Sequence, residues 1–245
     1  MSLKAHKLEN AFLLAIMYMN IHMSKKEQHI ESLDFVKPSK GYRFFKRMFD
    51  VLVSIIGILA ISWLLIILLI LATLTSHGTG IYKDTRIGKD FKIFHVYKFR
   101  SMFADVDKNP DKYINRAQRN KLRKERKLEN DPRVTRFGRF LRKSSLDELP
   151  QLFNVLTGTM SFIGPRPITE MELKMYFTVS EQKILLSARP GLISYWGVKG
   201  RSDVDFANGE RQKLELEYFK LRGFWFDASL IFRAIPVVVK GTGAR

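Results

Sequence analysis

The sequence contains no cysteine, so no disulfide framework and no thiolate metal site can organise it. It is poor in acid: 24 Asp and Glu stand against 42 Lys and Arg, a formal charge of +18 that calls for an anionic partner or an anionic surface. Nucleic acid, acidic lipid headgroups and phosphorylated substrates all meet that demand. No nucleic-acid-binding module is recognisable, and the basic residues flank an apolar segment instead of forming a separate tail, so no nucleic-acid partner is expected. Internal repeats and low-complexity tracts are absent. The apolar stretch Ala11 to Met19 is short and no small-residue cleavage site closes it, which argues against a signal peptide and against secretion.

What the chain does have is one long greasy run. From Phe49 to Leu74 it is almost continuously apolar. At about 1.5 Å per residue a helix of that length covers a hydrocarbon core of roughly 30 Å. Arg43, Lys46 and Arg47 precede it, and Lys83, Arg86 and Lys89 follow. Positive charge on both flanks leaves orientation undecided for a straight span, whereas a re-entrant helix puts both flanks on the cytoplasmic face. Both topologies stay open, because ILAISWLLIIL contains no proline to break the helix. The expected organisation is an N-terminal extension (1–42), a membrane-inserted helix (43–80) and a compact cytoplasmic domain (81–245). The fold class is α+β, mainly helical, with the cytoplasmic domain pressed against the membrane. FKIFHVYKFRSMF mixes β-branched and aromatic residues in partial alternation and reads as a strand, while QRNKLRKERKLEN reads as a solvated helix or loop.

Three segments carry residues suited to chemistry. In RFLRKSSLDELPQLFNVLTG, Asp147 and Glu148 stand just before Pro150, which a helix tolerates only in its first turn. This puts Asp147 at or near an N-cap, and ordinary capping is a sufficient account of both acids. The alternative rests on the preceding cations Arg133, Arg136, Arg139, Arg142 and Lys143, which also suit a membrane-facing strip. A carboxylate kept ionised among such cations could attack a phosphorus atom or hold a divalent metal. In SFIGPRPI, Arg166 lies between two prolines, so its guanidinium can be held ready for phosphate oxygens, although a rigid turn with an incidental arginine reads the same way. In ARPGLISYWGVKGRSDVDF, Arg189 and Arg201 bracket Tyr195 and Trp196, aromatics that suit packing or an interface as well as a base.

KRMFDVLVSIIG, RIGKDFKIFHVYKFRSM, NDPRVTRFGRFLRKSSLDELPQLFNVLTGTMSFIGPRP and RPGLISYWGVKGRSDVDF, in that order, resemble the bacterial sugar transferases over residues 43 to 245. The likeness is to the small monotopic polyprenyl-phosphate phosphoglycosyl transferases of capsule, exopolysaccharide and glycoprotein glycan synthesis, in bacterial cytoplasmic membranes. That resemblance implies a re-entrant membrane helix, a catalytic domain on the cytoplasmic face and interfacial amphipathic helices laid along the bilayer surface. It also implies a two-step transfer in which Asp147 attacks the sugar-linked phosphate of a UDP-sugar, releases UMP and passes the phosphosugar to undecaprenyl phosphate. Glu148 is implied as the partner carboxylate, and Mg²⁺ as the cofactor, with Asp147 as its ligand. Lys98, Arg142, Arg166 and Arg201 match substrate- and phosphate-binding positions, with Arg189 beside them. Anionic membrane lipids are the other expected partners, and homo-oligomerisation is left open. A UDP-hexose is the expected donor. The chain departs from its relatives at Ser62-Trp63, where similar proteins carry Ser-Pro, and at GTGIYKDTRIG and PGLISYWG. A basic membrane-anchored binding protein without catalysis accounts for the charge and the apolar run, but leaves SLDELPQ and GPRP unexplained.

Overall fold

The computed structural model describes residues 35, 37–106, 108–125, 128, 130–199 and 209–239. The N-terminal extension therefore lies almost wholly outside the described residues, as does Arg201.

The apolar run does not form one helix. It divides into α1 (Lys40–Ala60) and α2 (Ser62–Ser76), bent by 69° at Ile61. Among the described residues no single helix is long and apolar enough to cross a membrane, whereas the bent pair has that length and composition together. The break needs no proline. At the bend Ile61 leaves helical geometry (φ −107°, ψ 14°), and Ser62 Oγ donates to the Leu59 carbonyl at 3.0 Å, a back-bond that accompanies the bend. The expected alternative of a single straight helix is thus replaced by a kink. The outer faces of both helices stay exposed and apolar, from Phe44, Phe45 and Leu59 on α1 to Trp63, Ile66 and Leu74 on α2.

The inner faces anchor this pair to the rest of the chain. On α2, Leu65, Leu68 and Ala72 pack with Phe99 and Leu141. On α1, Arg47 donates to the carbonyls of Val155 and Leu156, both at 2.7 Å, capping the C-terminal end of the helix Gln151–Thr157. Asp50 is buried and accepts from the Phe162 N–H and the Ser161 hydroxyl. Lys46 pairs with Asp227.

After α2 come β1 (Ile81–Ile87) and β2 (Ile93–Phe99), an antiparallel hairpin in which Tyr82 faces Lys98 and Ile87 faces Ile93. The basic run forms the polar helix α3 (Arg116–Glu125). Next are α4 (Arg136–Lys143), capped by the Thr135 hydroxyl on the Gly138 N–H, and α5 (Gln151–Thr157). Then β3 (Ser161–Ile163), α6 (Glu170–Tyr176), α7 (Val179–Leu185), β4 (Gly191–Ile193), α8 (Tyr195–Lys199), α9 (Glu210–Leu221) and α10 (Phe224–Val239) complete the described chain. Two short ladders among many helices make the class α+β and mainly helical, as expected. The main core gathers Ile163, Leu173, Phe177, Leu185, Tyr218, Phe219 and Leu230 beneath α6 to α10.

Two side chains tie these parts into a frame. Asn154, 1% exposed on α5, accepts from the Tyr97 N–H at 2.9 Å and donates to the His95 carbonyl at 2.7 Å, behaving like another strand beside β2. The parallel pair β3–β4 brings Gly164 against Gly191 so closely that a Cβ on Gly164 would lie 2.3 Å from the Arg189 carbonyl oxygen. The glycines of GPRP and of the Pro-Gly turn are therefore there for backbone-to-backbone contact.

Candidate active site

The acids at the centre of SLDELPQ do not begin α5. Ser145 adopts a left-handed conformation (φ 57°) and reverses the chain, so that Leu146–Glu148 forms a separate 3₁₀ turn. Pro150 then serves as the N-cap of α5. The expected placement of Asp147 at that helix's N-cap is corrected accordingly: the acids sit on a turn wedged between α4, β2 and α5.

That turn meets the end of β2. Lys98 Nζ lies 3.2 Å from Glu148 Oε1. Asp147 is partly buried, and desolvation together with the neighbouring Glu148 pushes its carboxyl up to about 6, while Lys98 and Arg142 oppose the rise. Arg142 on α4 is oriented by a hydrogen bond from its Nε to Ser101 Oγ at 2.9 Å, and burial weakens its hold on its proton while Asp147 and Asp131 strengthen it. Asp131 in turn receives Arg133 on both oxygens. Two like charges crowded beside two cations, in a half-desolvated turn, form a site in which charge is strongly felt.

Beside the turn opens a recess with about 350 Å³ of free space, lined by Glu148, Lys98, Arg166, Asp84, Arg86 and Gln151. Arg166 is fixed at its backbone by a 3.1 Å hydrogen bond from its N–H to Glu215 Oε2 and at its guanidinium by the Trp196 ring, 5.4 Å away. Glu215 is fully buried, which pushes its carboxyl up to about 7 against the pull of Arg211. The Arg211 guanidinium lies 4.4 Å from the same indole and is lowered to about 10 by burial. Arg86 reaches Asp84 at 2.6 Å and Glu172 at 3.5 Å.

The structure therefore brings Lys98, Arg142, Asp147, Glu148 and Arg166 together. Arg189 lies elsewhere: its Nε donates to the Gly158 carbonyl at 2.7 Å and its side chain lines a different recess. Arg201 is outside the described residues. Sequence reasoning missed Arg86, Arg211 and Glu215. The spacing of Arg211 and Glu215, four apart on α9, was an available signal, though it is also the signature of an exposed helical ion pair.

Among the described residues no cluster of three or more His, Asp or Glu could hold a metal by itself. The donor set Asp147 and Glu148 still suits Mg²⁺, which takes one or two carboxylates and completes its shell with substrate phosphate oxygens and water.

Residues 41–241 match the model of the bacterial sugar transferase family. The chain belongs to that family. Among bacterial sugar transferases it is 42% identical, over 207 residues, to the undecaprenyl-phosphate galactose phosphotransferase of Salmonella typhimurium; the match covers 84% of this chain but 42% of that protein. It is 37% identical over 222 residues to the exopolysaccharide production protein ExoY of Rhizobium meliloti, covering 87% of this chain and 93% of the relative. It is 36% identical over 197 residues to the UDP-glucose:undecaprenyl-phosphate glucose-1-phosphate transferase of Escherichia coli, covering 79% and 40%. The chain thus spans less than half the length of the Salmonella and Escherichia relatives and nearly all of ExoY.

Proposed function

We propose that this sugar transferase moves a sugar-1-phosphate, of a hexose, from a UDP-sugar to undecaprenyl phosphate and so begins the assembly of a polysaccharide. The observation that carries this reading is the Asp147-Glu148 pair on its 3₁₀ turn, held against Lys98 and Arg142 beside the Arg166 recess. It agrees with the names of the Salmonella relative, a galactose phosphotransferase, and of the Escherichia relative, a glucose-1-phosphate transferase.

In this reading Asp147 is the nucleophile. Its carboxylate oxygen bonds to the phosphorus that bears the sugar, and the bond from that phosphorus to the bridging diphosphate oxygen breaks. The electron pair leaves with UMP. An oxygen of the lipid phosphate then bonds to the same phosphorus and Asp147 departs as a carboxylate, giving the undecaprenyl-diphosphate sugar. Lys98 and Arg142 keep Asp147 ionised and balance the charge that builds on the phosphoryl oxygens. Arg166, anchored by Glu215 and Trp196, presents a fixed fork to the diphosphate. Asp147 and Glu148 would hold Mg²⁺, which offsets phosphate charge when bound.

The bent pair α1–α2 is proposed to dip into the cytoplasmic membrane and return. Its exposed apolar faces, its 69° bend and the cations on both flanks support this topology. The catalytic turn then faces the cytoplasm. The test is UMP release from a panel of UDP-sugars with undecaprenyl phosphate and Mg²⁺. Wild type should release UMP with one hexose donor and Asp147→Asn should not; equal release by the two would remove Asp147 from the nucleophile's role.

A further inference from the structure

A second basic recess, sharing no lining residue with the Asp147–Glu148 site, lies where α1 meets the loop before β4. It is open to solvent, spans about 570 Å³ of free space and is ringed by Arg43, Lys46, Arg47, Lys89, Arg189 and Arg222. Asp50 is the one carboxylate on its wall, and that oxygen is already engaged by Ser161 and the Phe162 N–H. Lys46 is matched by Asp227, and Asp50 lies within electrostatic reach of Lys46 and Arg47, but among the described residues no salt bridge is made by Arg43 or Arg47. Crowded cations with so little acid between them favour an anion.

Directly against this recess runs an apolar groove of about 490 Å³, walled by Phe45, Phe49, Ile163, Phe224, Ala228 and Ile231. The two spaces share Tyr42, Lys46, Asp50 and Ile163. A cationic chamber that opens onto a greasy channel, beside the exposed apolar faces of α1 and α10, matches a phosphate carried on a long hydrocarbon chain.

We infer that this pair of cavities holds one anionic phospholipid of the bilayer, its phosphate among Arg43, Arg47, Lys89 and Arg189 and an acyl chain in the groove. The polyprenyl phosphate acceptor has the same chemistry, but its phosphate must reach the phosphorus at Asp147, and no residue joins the two recesses. A resident phospholipid would brace α1 against the β3–β4 ladder, to which Asp50 already links it through Ser161 and the Phe162 N–H. The inference rests on the membrane placement proposed above and not on the transfer chemistry.

The test is native mass spectrometry of the full chain released from micelles doped with phosphatidylglycerol, phosphatidylcholine of the same acyl chains, undecaprenyl phosphate or inorganic phosphate. Wild type should retain one phosphatidylglycerol at least tenfold more tightly than phosphatidylcholine. Arg43→Gln with Lys89→Gln should weaken it about 30-fold, at roughly 1 kcal/mol per cation. Removing the same charge at exposed Lys183 and Lys220 should leave it unchanged. Ala228→Trp, which fills the groove, should release the lipid while leaving the charge intact. Equal losses from the two double variants, each of which removes two positive charges, would mean diffuse attraction and overturn the site, and tenfold preference for undecaprenyl phosphate would make it the acceptor's. Indifference to Ala228→Trp, or inorganic phosphate binding as tightly as the lipid, would remove the groove from the account. Flotation with vesicles, run alongside, separates failure of this site from failure of the membrane placement.

Discussion

Replacing Asn154 should loosen the catalytic turn from the strand that carries Lys98. Its amide spans two backbone groups of β2, and the side chain is 1% exposed, so water cannot take over either bond. In Asn154→Leu, of similar volume, the Tyr97 N–H and the His95 carbonyl both lose their partner. At about 2 kcal/mol for each buried backbone group left unsatisfied, the loss is about 4 kcal/mol. In a domain of this size 1 kcal/mol moves Tm by roughly 2–4 °C, so a fall of roughly 8–16 °C is expected. Asn154→Asp separates the two bonds. It still accepts from Tyr97, but as a carboxylate it turns a lone pair toward the His95 carbonyl. Its deficit should shrink as pH falls and the carboxyl regains an O–H to donate. Thermal melting of the detergent-solubilised chain, followed by circular dichroism between pH 5 and 8, reads both effects. A Leu variant within about 2 °C of wild type, or an Asp variant whose deficit ignores pH, would refute the role given to Asn154.

Other expectations follow from the same geometry. Burial and Glu148 raise the Asp147 carboxyl from 3.8 to about 6, so the folded state holds this proton more tightly than the unfolded chain. The associated stability is present below about pH 4 and is lost as pH rises to about 6, so metal-free Asp147→Asn should melt above wild type from pH 6 upward, by up to about 3 kcal/mol. No gap, or one that closes with rising pH, would contradict the environment described for Asp147. Transfer itself should fade at acid pH as the nucleophile protonates, with a midpoint below the metal-free value of about 6, because Mg²⁺ held by the two acids favours the carboxylate; a midpoint above 6 would contradict this. Lys98→Met removes the cation 3.2 Å from Glu148 and should lower UMP release about 100-fold with little change in Tm; an unchanged rate would exclude Lys98 from the site. A Cβ on Gly138 would fall 1.9 Å from the Ser101 carbonyl oxygen, so Gly138→Ala should destabilise by about 3 kcal/mol and displace Arg142 from Ser101, seen as a fall in both Tm and transfer.

Much of this architecture was legible in the chain, and what was hidden has physical causes. The apolar run announced a membrane-length segment, but its break did not show. The familiar signal, proline, is missing, and nothing in the residue types around Ile61-Ser62 marks where the chain leaves helical geometry. SLDELPQ stood out as a pair of acids before a proline, yet the turn that isolates them depends on Ser145 adopting a left-handed conformation, which a serine seldom does. β2 was visible from its β-branched and aromatic residues. Arg211 and Glu215 were not, because an Arg and a Glu four apart read as an exposed helical pair; only the packing of α9 beneath Trp196 and the Arg166 loop turns them into a buried support. Arg189, picked out beside its Pro-Gly turn, lies instead at the second basic recess.

The central claim is that Asp147 carries the phosphosugar. Intact-protein mass spectrometry after brief incubation with a UDP-hexose and Mg²⁺, without lipid acceptor, addresses it directly. The account predicts an adduct with the mass of one hexose phosphate, mapped to the peptide containing Asp147, absent from Asp147→Asn and discharged by undecaprenyl phosphate. UMP release by wild type only when the acceptor is present, with no adduct at any time, would contradict it and favour direct attack by the lipid phosphate.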